Sequence, residues 1–297
     1  PPFNWDTKEQ KIYSESREWL KNLLVGGIIS NLTGMFDSIN DQVADVAAVV
    51  GATPQGWNAS VFNMVKSLSE NVIIPIAGLI LTFVMTYELI QMIIERNNMA
   101  EFETFNFFKW IMKTFCAVMI VTNTWNIVMG IFEVAQTVVN NAAGVIIADT
   151  AIDLESVITN IEDRLMEMDV GTLFGLWFQT MLISIVSWAL TICIFVVVYG
   201  RMIEIYMVTS VAPIPLATMV NREAGQMGQN YLRSLFALGF QAFLIILCVA
   251  IYAVLLQTVA VSGDIISAIW TCVGYTVLLC FTLFKTSSLS KSVFNAH

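Results

Sequence analysis

The chain has 297 residues, 57% of them hydrophobic and only 12% charged, and a net charge of −9. Soluble domains carry about 25% charged residues, so this balance excludes an ordinary soluble globule and identifies an integral membrane protein. The negative charge also opposes tight nucleic-acid binding, which needs a basic footprint to displace counterions; any contact with DNA is expected to be local and transient.

From Trp5 to Val50 the apolar residues recur at helical spacing: Ile12, Trp19, Leu20, Leu23 and Leu24, then Ile28, Leu32, Met35, Ile39, Val43, Val46 and Val50. Gly26 and Gly27 are expected to divide this stretch into two amphipathic helices. Opposite the second stripe lie Asp37, Asp41 and Asp45, whose like charges at i, i+4 spacing repel weakly and suit a solvated face. Such helices lie on a membrane or pack on a neighbour rather than span it. The break G-A-T-P-Q-G-W, Gly51 to Trp57, then turns the chain toward the bilayer. Residues 1–70 are therefore expected to be extracytoplasmic amphipathic helices, and residues 71–297 the transmembrane domain.

Five apolar runs follow: Asn71–Glu95, Lys109–Gln136, Leu173–Gly200, Ser234–Val261 and Ile265–Lys285. Each reaches the hydrocarbon thickness of about 30 Å at 1.5 Å per residue. Charge decides whether Met202–Val220 adds a sixth. With five spans, Arg96, Lys109, Lys113, Arg201, Arg222, Arg233, Lys285 and Lys291 share one side against Lys66 and Arg164 on the other, a strong positive-inside asymmetry. A sixth span destroys it. The expectation is an all-α polytopic protein with its N-terminal region outside, its C-terminus in the cytoplasm, and residues 202–220 as a re-entrant, Pro-broken hairpin.

The loop Thr137–Thr172, between the second and third spans, carries Asp149, Asp153, Glu155, Glu162, Asp163, Glu167 and Asp169 against a single base, Arg164. Leu154, Ile158, Ile161, Leu165 and Met168 repeat at helical spacing within it, which predicts a surface helix with an acidic face outside the membrane.

No phosphate-binding G-x-x-x-x-G-K-[ST], no H-E-x-x-H and no Ser-His-Asp set can be assembled, and the one His is the last residue. A protein that is not an enzyme and holds no cofactor or metal is expected. The chain opens Pro-Pro without a Met, as trimmed ends do, and neither end receives functional weight. The five cysteines sit in apolar runs without C-x-x-C spacing and read as small core hydrophobes. Glu88 lies within the first apolar run, at a depth expected to match Arg201 and Glu204; these three either pair, Arg201 with Glu204, or line water. Gly171 and Gly175 form a G-x-x-x-G step at the mouth of the third span, and Asn123, Asn126, Gln179, Gln241 and Gln257 suit hydrogen bonds between helices.

The most informative stretch is Gly200 to Leu247. Pro213 and Pro215 each remove a backbone donor and bias Ala212 and Ile214 away from helical angles, so a break is expected there, buried in protein or facing water. Asn221, Arg222, Glu223, Gly225, Gln226, Gly228, Gln229 and Arg233 follow as the densest polar cluster near the membrane. Arg201 and Glu204, the A-P-I-P break, N-R-E-A-G-x-x-G-Q-N-Y-L-R and an apolar helix carrying Gln241 resemble the TrbL-type polytopic membrane proteins of conjugative type IV secretion systems, particularly the Gram-positive branch. Weaker likeness extends through S-E-N-V-I-I-P-I-A-G at Ser69–Gly78 and F-E-T-F-N-F-F-K-W at Phe102–Trp110. The resemblance implies a channel or scaffold subunit in the bacterial cell membrane, assembled as a homo-oligomer with other apparatus subunits, assembly ATPases among them, and in transient contact with DNA or protein substrate. Taken with the intramembrane charges, the proline break and the polar cluster, the candidate functional residues of this chain are Glu88, Arg201, Glu204, Pro213, Pro215, Arg222, Glu223, Gly225, Gly228, Gln229, Arg233 and Gln241. The residues alone leave open a small-solute transporter or ion channel, and a structural scaffold with no water path.

Overall fold

The computed structural model describes residues 5–94, 104–150, 154–221, 224–260 and 265–296. Among them there are helices and no strands: α1 (Trp5–Val50), α2 (Pro54–Trp57), α3 (Ala59–Leu68), α4 (Ile74–Ile94), α5 (Thr104–Thr122), α6 (Thr124–Thr150), α7 (Leu154–Glu167), α8 (Val170–Val211), α9 (Pro213–Thr218), α10 (Gly225–Ala260) and α11 (Ile265–Val293). Five stretches are long and apolar enough to cross a membrane: Ala59–Ile94, Phe105–Thr122, Val170–Val211, Gly225–Thr258 and Ile266–Val293. The all-α polytopic expectation holds.

Several boundaries differ, each for a local reason. Trp5–Val50 is one helix, not two. Gly26 and Gly27 do not break it; Gly27 lets the Trp177 ring close in, since a Cβ there would meet Trp177 Nε1 at 2.7 Å. The expected span Lys109–Gln136 is split at Asn123. Asn123 Nδ2 donates to the Met119 carbonyl at 2.9 Å and Thr124 Oγ1 to that of Val121 at 2.9 Å, so side chains share the helix's own acceptors at the one residue where it is interrupted. The third span does not end at Gly200 but continues to Val211, about 63 Å in all. The surface helix expected in the acidic loop is α7, with Leu165 buried on its apolar face.

Between α3 and α4 the chain makes one π-helical turn, Ser69–Ile73, in which the Ile74 amide bonds to the Ser69 carbonyl five residues back. Pro75 follows. Having no N–H and crowding the carbonyl four residues before it, Pro75 is accommodated by this widened turn without ending the helix. The S-E-N-V-I-I-P motif is therefore a π-turn, a form that periodicity does not reveal.

The chain divides into two compact units. The first holds residues 1–47, 143–196 and 246–284. Within it α1 lies along α8: Asn31 Nδ2 donates to Thr180 Oγ1 at 3.1 Å, and Gln42 Nε2 to Thr191 Oγ1 at 2.8 Å. The hydroxyls of Tyr252 on α10 and Thr276 on α11 share a 2.7 Å bond. At the start of α8, Asp169 accepts from the Gly171 amide at 2.9 Å and from the Thr172 hydroxyl, an N-terminal cap. The Thr172 hydroxyl and amide, then the Gly171 amide, hold its carboxyl below the usual range.

The second unit holds residues 48–142, 197–245 and 285–297. Phe62, Val65, Trp125 and Tyr206 pack into one cluster, and Val128, Phe132, Met202, Ile205, Leu235 and Leu238 into another. The turn before α3 is pinned to α8: the Tyr206 hydroxyl donates to the Pro54 carbonyl, and Trp57 stacks edge-on against Tyr199 at 5.7 Å. Gln136 of α6 donates to the Gly51 carbonyl.

Candidate functional site: a polar seam on the third span

Val170 to Gly200 contains no ionisable residue except Cys193 and Tyr199 and no charge at all, and Arg201 ends that run. Its side chain is 6% exposed. The Nε donates to the backbone carbonyl of Leu238 on α10 at 3.1 Å, and Nη1 lies 3.9 Å from the Met202 sulfur. A guanidinium has five donors, so much of the fork remains for other acceptors. The expected Arg201–Glu204 ion pair does not form. The two lie one helical turn apart, but the Arg201 fork turns to the Leu238 carbonyl and Glu204 reaches across to Lys291 on α11 at 3.4 Å.

The seam continues along α10 and α11. Ser290 donates to the Ala237 carbonyl, and Gln241 Nε2 to Thr286 Oγ1 at 3.4 Å. Gln241 Oε1 and Thr209 Oγ1 are buried with no hydrogen-bond partner among the described residues. A cation, one amide side chain, the hydroxyls of Ser290 and Thr286 and two helix carbonyls thus line up along α10 among apolar neighbours. In hydrocarbon such groups either satisfy one another or line water.

Glu88 belongs elsewhere. It pairs with Lys113 across the α4–α5 contact, where Trp110 Nε1 also donates to the Met85 carbonyl at 3.1 Å. Its Oε2 is buried without a partner among the described residues. The grouping of Glu88 with Arg201 and Glu204 is thereby replaced by two separate ion pairs and one buried arginine.

The A-P-I-P break falls where the prolines put it, between Val211 and Pro213, but the angles differ from expectation. Ala212 is right-handed helical, at φ −50° and ψ −37°, and Ile214 lies within α9. Pro213 opens α9 at the position where a helix has no use for an N–H, so the helical preference is kept on both sides of the break. α9 is packed by Ala217 against Ala77, Leu81 and Ala117 of α4 and α5. Gly225 and Gly228 then explain the G-x-x-G spacing. A Cβ on Gly228 would lie 2.6 Å from the Pro215 carbonyl oxygen and 2.6 Å from Met219 Cβ, and one on Gly225 2.8 Å from the Met219 carbonyl oxygen. These glycines let α10 begin directly against α9. Asn221, buried, accepts from the Ala224 amide at 2.9 Å and starts the turn into α10.

Gln229 and Arg233 are exposed on α10. Arg222 and Glu223 lie outside the described residues. The sequence reading missed the clamp of Pro54, Trp57, Tyr206 and Gln136; the only signal was the aromatic and proline content of the Gly51–Trp57 turn.

Neither the curated proteins nor the solved structures contain a match to this chain. The profile of one family does match, that of the TrbL/VirB6 plasmid conjugal transfer like proteins, over residues 39–213. The matched region is more than half of the chain, holds three of the five candidate spans, and runs through Arg201 and Glu204 to the first proline of the break. With the buried arginine, the A-P-I-P break and the multi-pass helical fold in place, the chain belongs to the TrbL/VirB6 plasmid conjugal transfer family and is a membrane component of a conjugation-type secretion apparatus.

Proposed function

We propose that the protein is a translocation-channel subunit of the conjugation apparatus, helping DNA and protein cross the cell membrane. The observation that carries this reading is Arg201, a buried cation at the end of an uncharged span whose Nε bonds to a helix carbonyl and not to a carboxylate. A structural ion pair would need a counter-ion; a polar lining needs only water and acceptors. The N-terminus is placed outside and the C-terminus in the cytoplasm, so that Arg201, Arg233 and Lys291 face the inner side. Copies assemble into a ring, with the assembly ATPases at its cytoplasmic face.

Arg201→Leu and Arg201→Lys variants test the reading through membrane abundance and DNA-transfer frequency. Arg201→Leu should insert at normal abundance yet transfer poorly, while Arg201→Lys keeps the charge and retains part of the transfer. Wild-type transfer by Arg201→Leu would remove the seam from the path. Sidedness is read separately. In a cysteine-free background, Asn160→Cys should label with an impermeant maleimide from outside and Gln229→Cys only after permeabilisation.

A further inference from the structure

We propose that α1 from Gly26 onward is not an external helix but lies at bilayer depth beside the third span, with its acidic face turned to water. Three contacts carry this. Asn31 bonds to Thr180 and Gln42 to Thr191, both across 149 residues of sequence, and Gly27 receives the Trp177 ring. The constant offset over three helical turns means that the two helices run parallel and in register. The partner stretch of α8 is the middle of Val170–Gly200, which carries no charge. About 20 of those residues must cross the hydrocarbon, and any such choice includes Leu182 to Trp188. At the same offset Thr33 to Ile39 stand level with them. α1 is therefore inside the membrane wherever the bilayer is drawn along that run.

Asp37, Asp41 and Asp45 are exposed on α1 and fall at or beside this depth. Carboxylates do not rest against lipid there, so the face that bears them borders an aqueous path. The polar contacts between the two helices fit the same depth. Gln42 is held by Ser38 as well as Thr191, and such bonds hold helices together where apolar packing alone does not distinguish neighbours.

Topology follows from the parallel pairing. A chain that leaves α1 on one side and enters α8 in the same direction must cross an odd number of times between them. Ala59–Ile94 and Phe105–Thr122 provide two crossings. Parity then requires a third crossing, and it falls to α6, which is not among the five stretches apolar enough to cross by composition but is 27 residues and about 40 Å long, with Glu133 its one charge before Asp149. This places Phe105 at the outer surface, whereas five spans place it at the inner one. The route gives up most of the positive-inside bias of the five-span reading, so Phe105 is the decisive position.

The inference rests on the membrane reading of α8 and deepens the channel role. Its test reads chemical labelling, independent of DNA transfer, so the two can fail separately. In a cysteine-free background of the full chain, Asp37→Cys, Asp41→Cys, Asp45→Cys, Trp188→Cys and Phe105→Cys are treated in intact cells with a charged, impermeant methanethiosulfonate and scored by gel shift. The three α1 positions should label and Trp188→Cys, exposed on α8 level with Ile39, should not; Phe105→Cys should label without permeabilisation. Labelling of Trp188→Cys would put both helices outside the bilayer and overturn the proposal. So would protection of all three α1 positions, which would mark a dry contact with another copy, or labelling of Phe105→Cys only after permeabilisation. Three independent α1 positions guard against one variant failing to insert.

Discussion

Glu204 pairs with Lys291 on α11, at 3.4 Å, and not with Arg201 one turn before it on its own helix. Both partners are more than a third exposed, 35% for Glu204 and 46% for Lys291, so solvent screens the pair and its worth is about 0.2–1 kcal/mol. Glu204→Lys or Lys291→Glu should lower the thermal midpoint in detergent only slightly, and the double exchange should restore it. A single reversal that abolishes folding would mean that Glu204 neutralises Arg201 after all.

The glycines of the G-x-x-G step give a sharper contrast. Gly228→Ala drives a methyl to 2.6 Å from both the Pro215 carbonyl oxygen and Met219 Cβ. α9 and α10 would have to separate, at a cost of about 1–3 kcal/mol. Gly78→Ala meets nothing within 4 Å inside α4 and should be neutral or gain up to about 1 kcal/mol from helix propensity. Equal destabilisation of both variants in a detergent unfolding titration would remove close packing as the role of Gly228.

The sequence carried the helical class and five apolar stretches because exposed apolar residues such as Phe83, Phe115, Trp188 and Phe281 announce themselves by composition, with no partner to identify. It marked the break at Pro213 for the same kind of local reason. Partners were a different matter. Arg201 and Glu204 stand at i, i+3, yet their partners, the Leu238 carbonyl that accepts from Arg201 and the Lys291 ammonium that donates to Glu204, come from helices 37 and 87 residues further on. Glu88 finds Lys113 at a separation of 25 residues, and nothing in either local pattern names the other. The Gly26–Gly27 pair read as a break because glycine ends helices, whereas here Gly27 clears space for an indole 150 positions away.

Acid should loosen the start of the third span. The Asp169 carboxylate caps α8 through Gly171 and Thr172, and those bonds lower its pKa below the unfolded value. A depressed folded pKa gives stability that is present above the unfolded pKa and lost as pH falls through the folded one. Asp169→Asn keeps an acceptor for the cap but does not titrate. The variant should therefore show a flatter midpoint against pH on the acid side than the parent, with little change near neutrality. Parallel curves for the two proteins would assign the acid sensitivity to other carboxylates.

Arg233 is exposed near the start of α10, and Arg222, outside the described residues, stands just before that helix in the sequence. On the proposed ring and orientation every copy contributes both, so a chain of net charge −9 would still present a local positive collar at the cytoplasmic mouth. Arginine suits passing phosphates or acidic partner surfaces, because its planar fork bonds bidentately where a lysine offers a point charge. Anchoring by the positive-inside rule makes a different demand, for charge alone. Arg222→Lys with Arg233→Lys should therefore insert normally and lower transfer, while Arg222→Glu with Arg233→Glu should abolish transfer with the protein still in the membrane. Membrane abundance and DNA-transfer frequency measured together separate the two roles. Wild-type transfer by the stably inserted double glutamate variant would leave these arginines as anchors and end the collar.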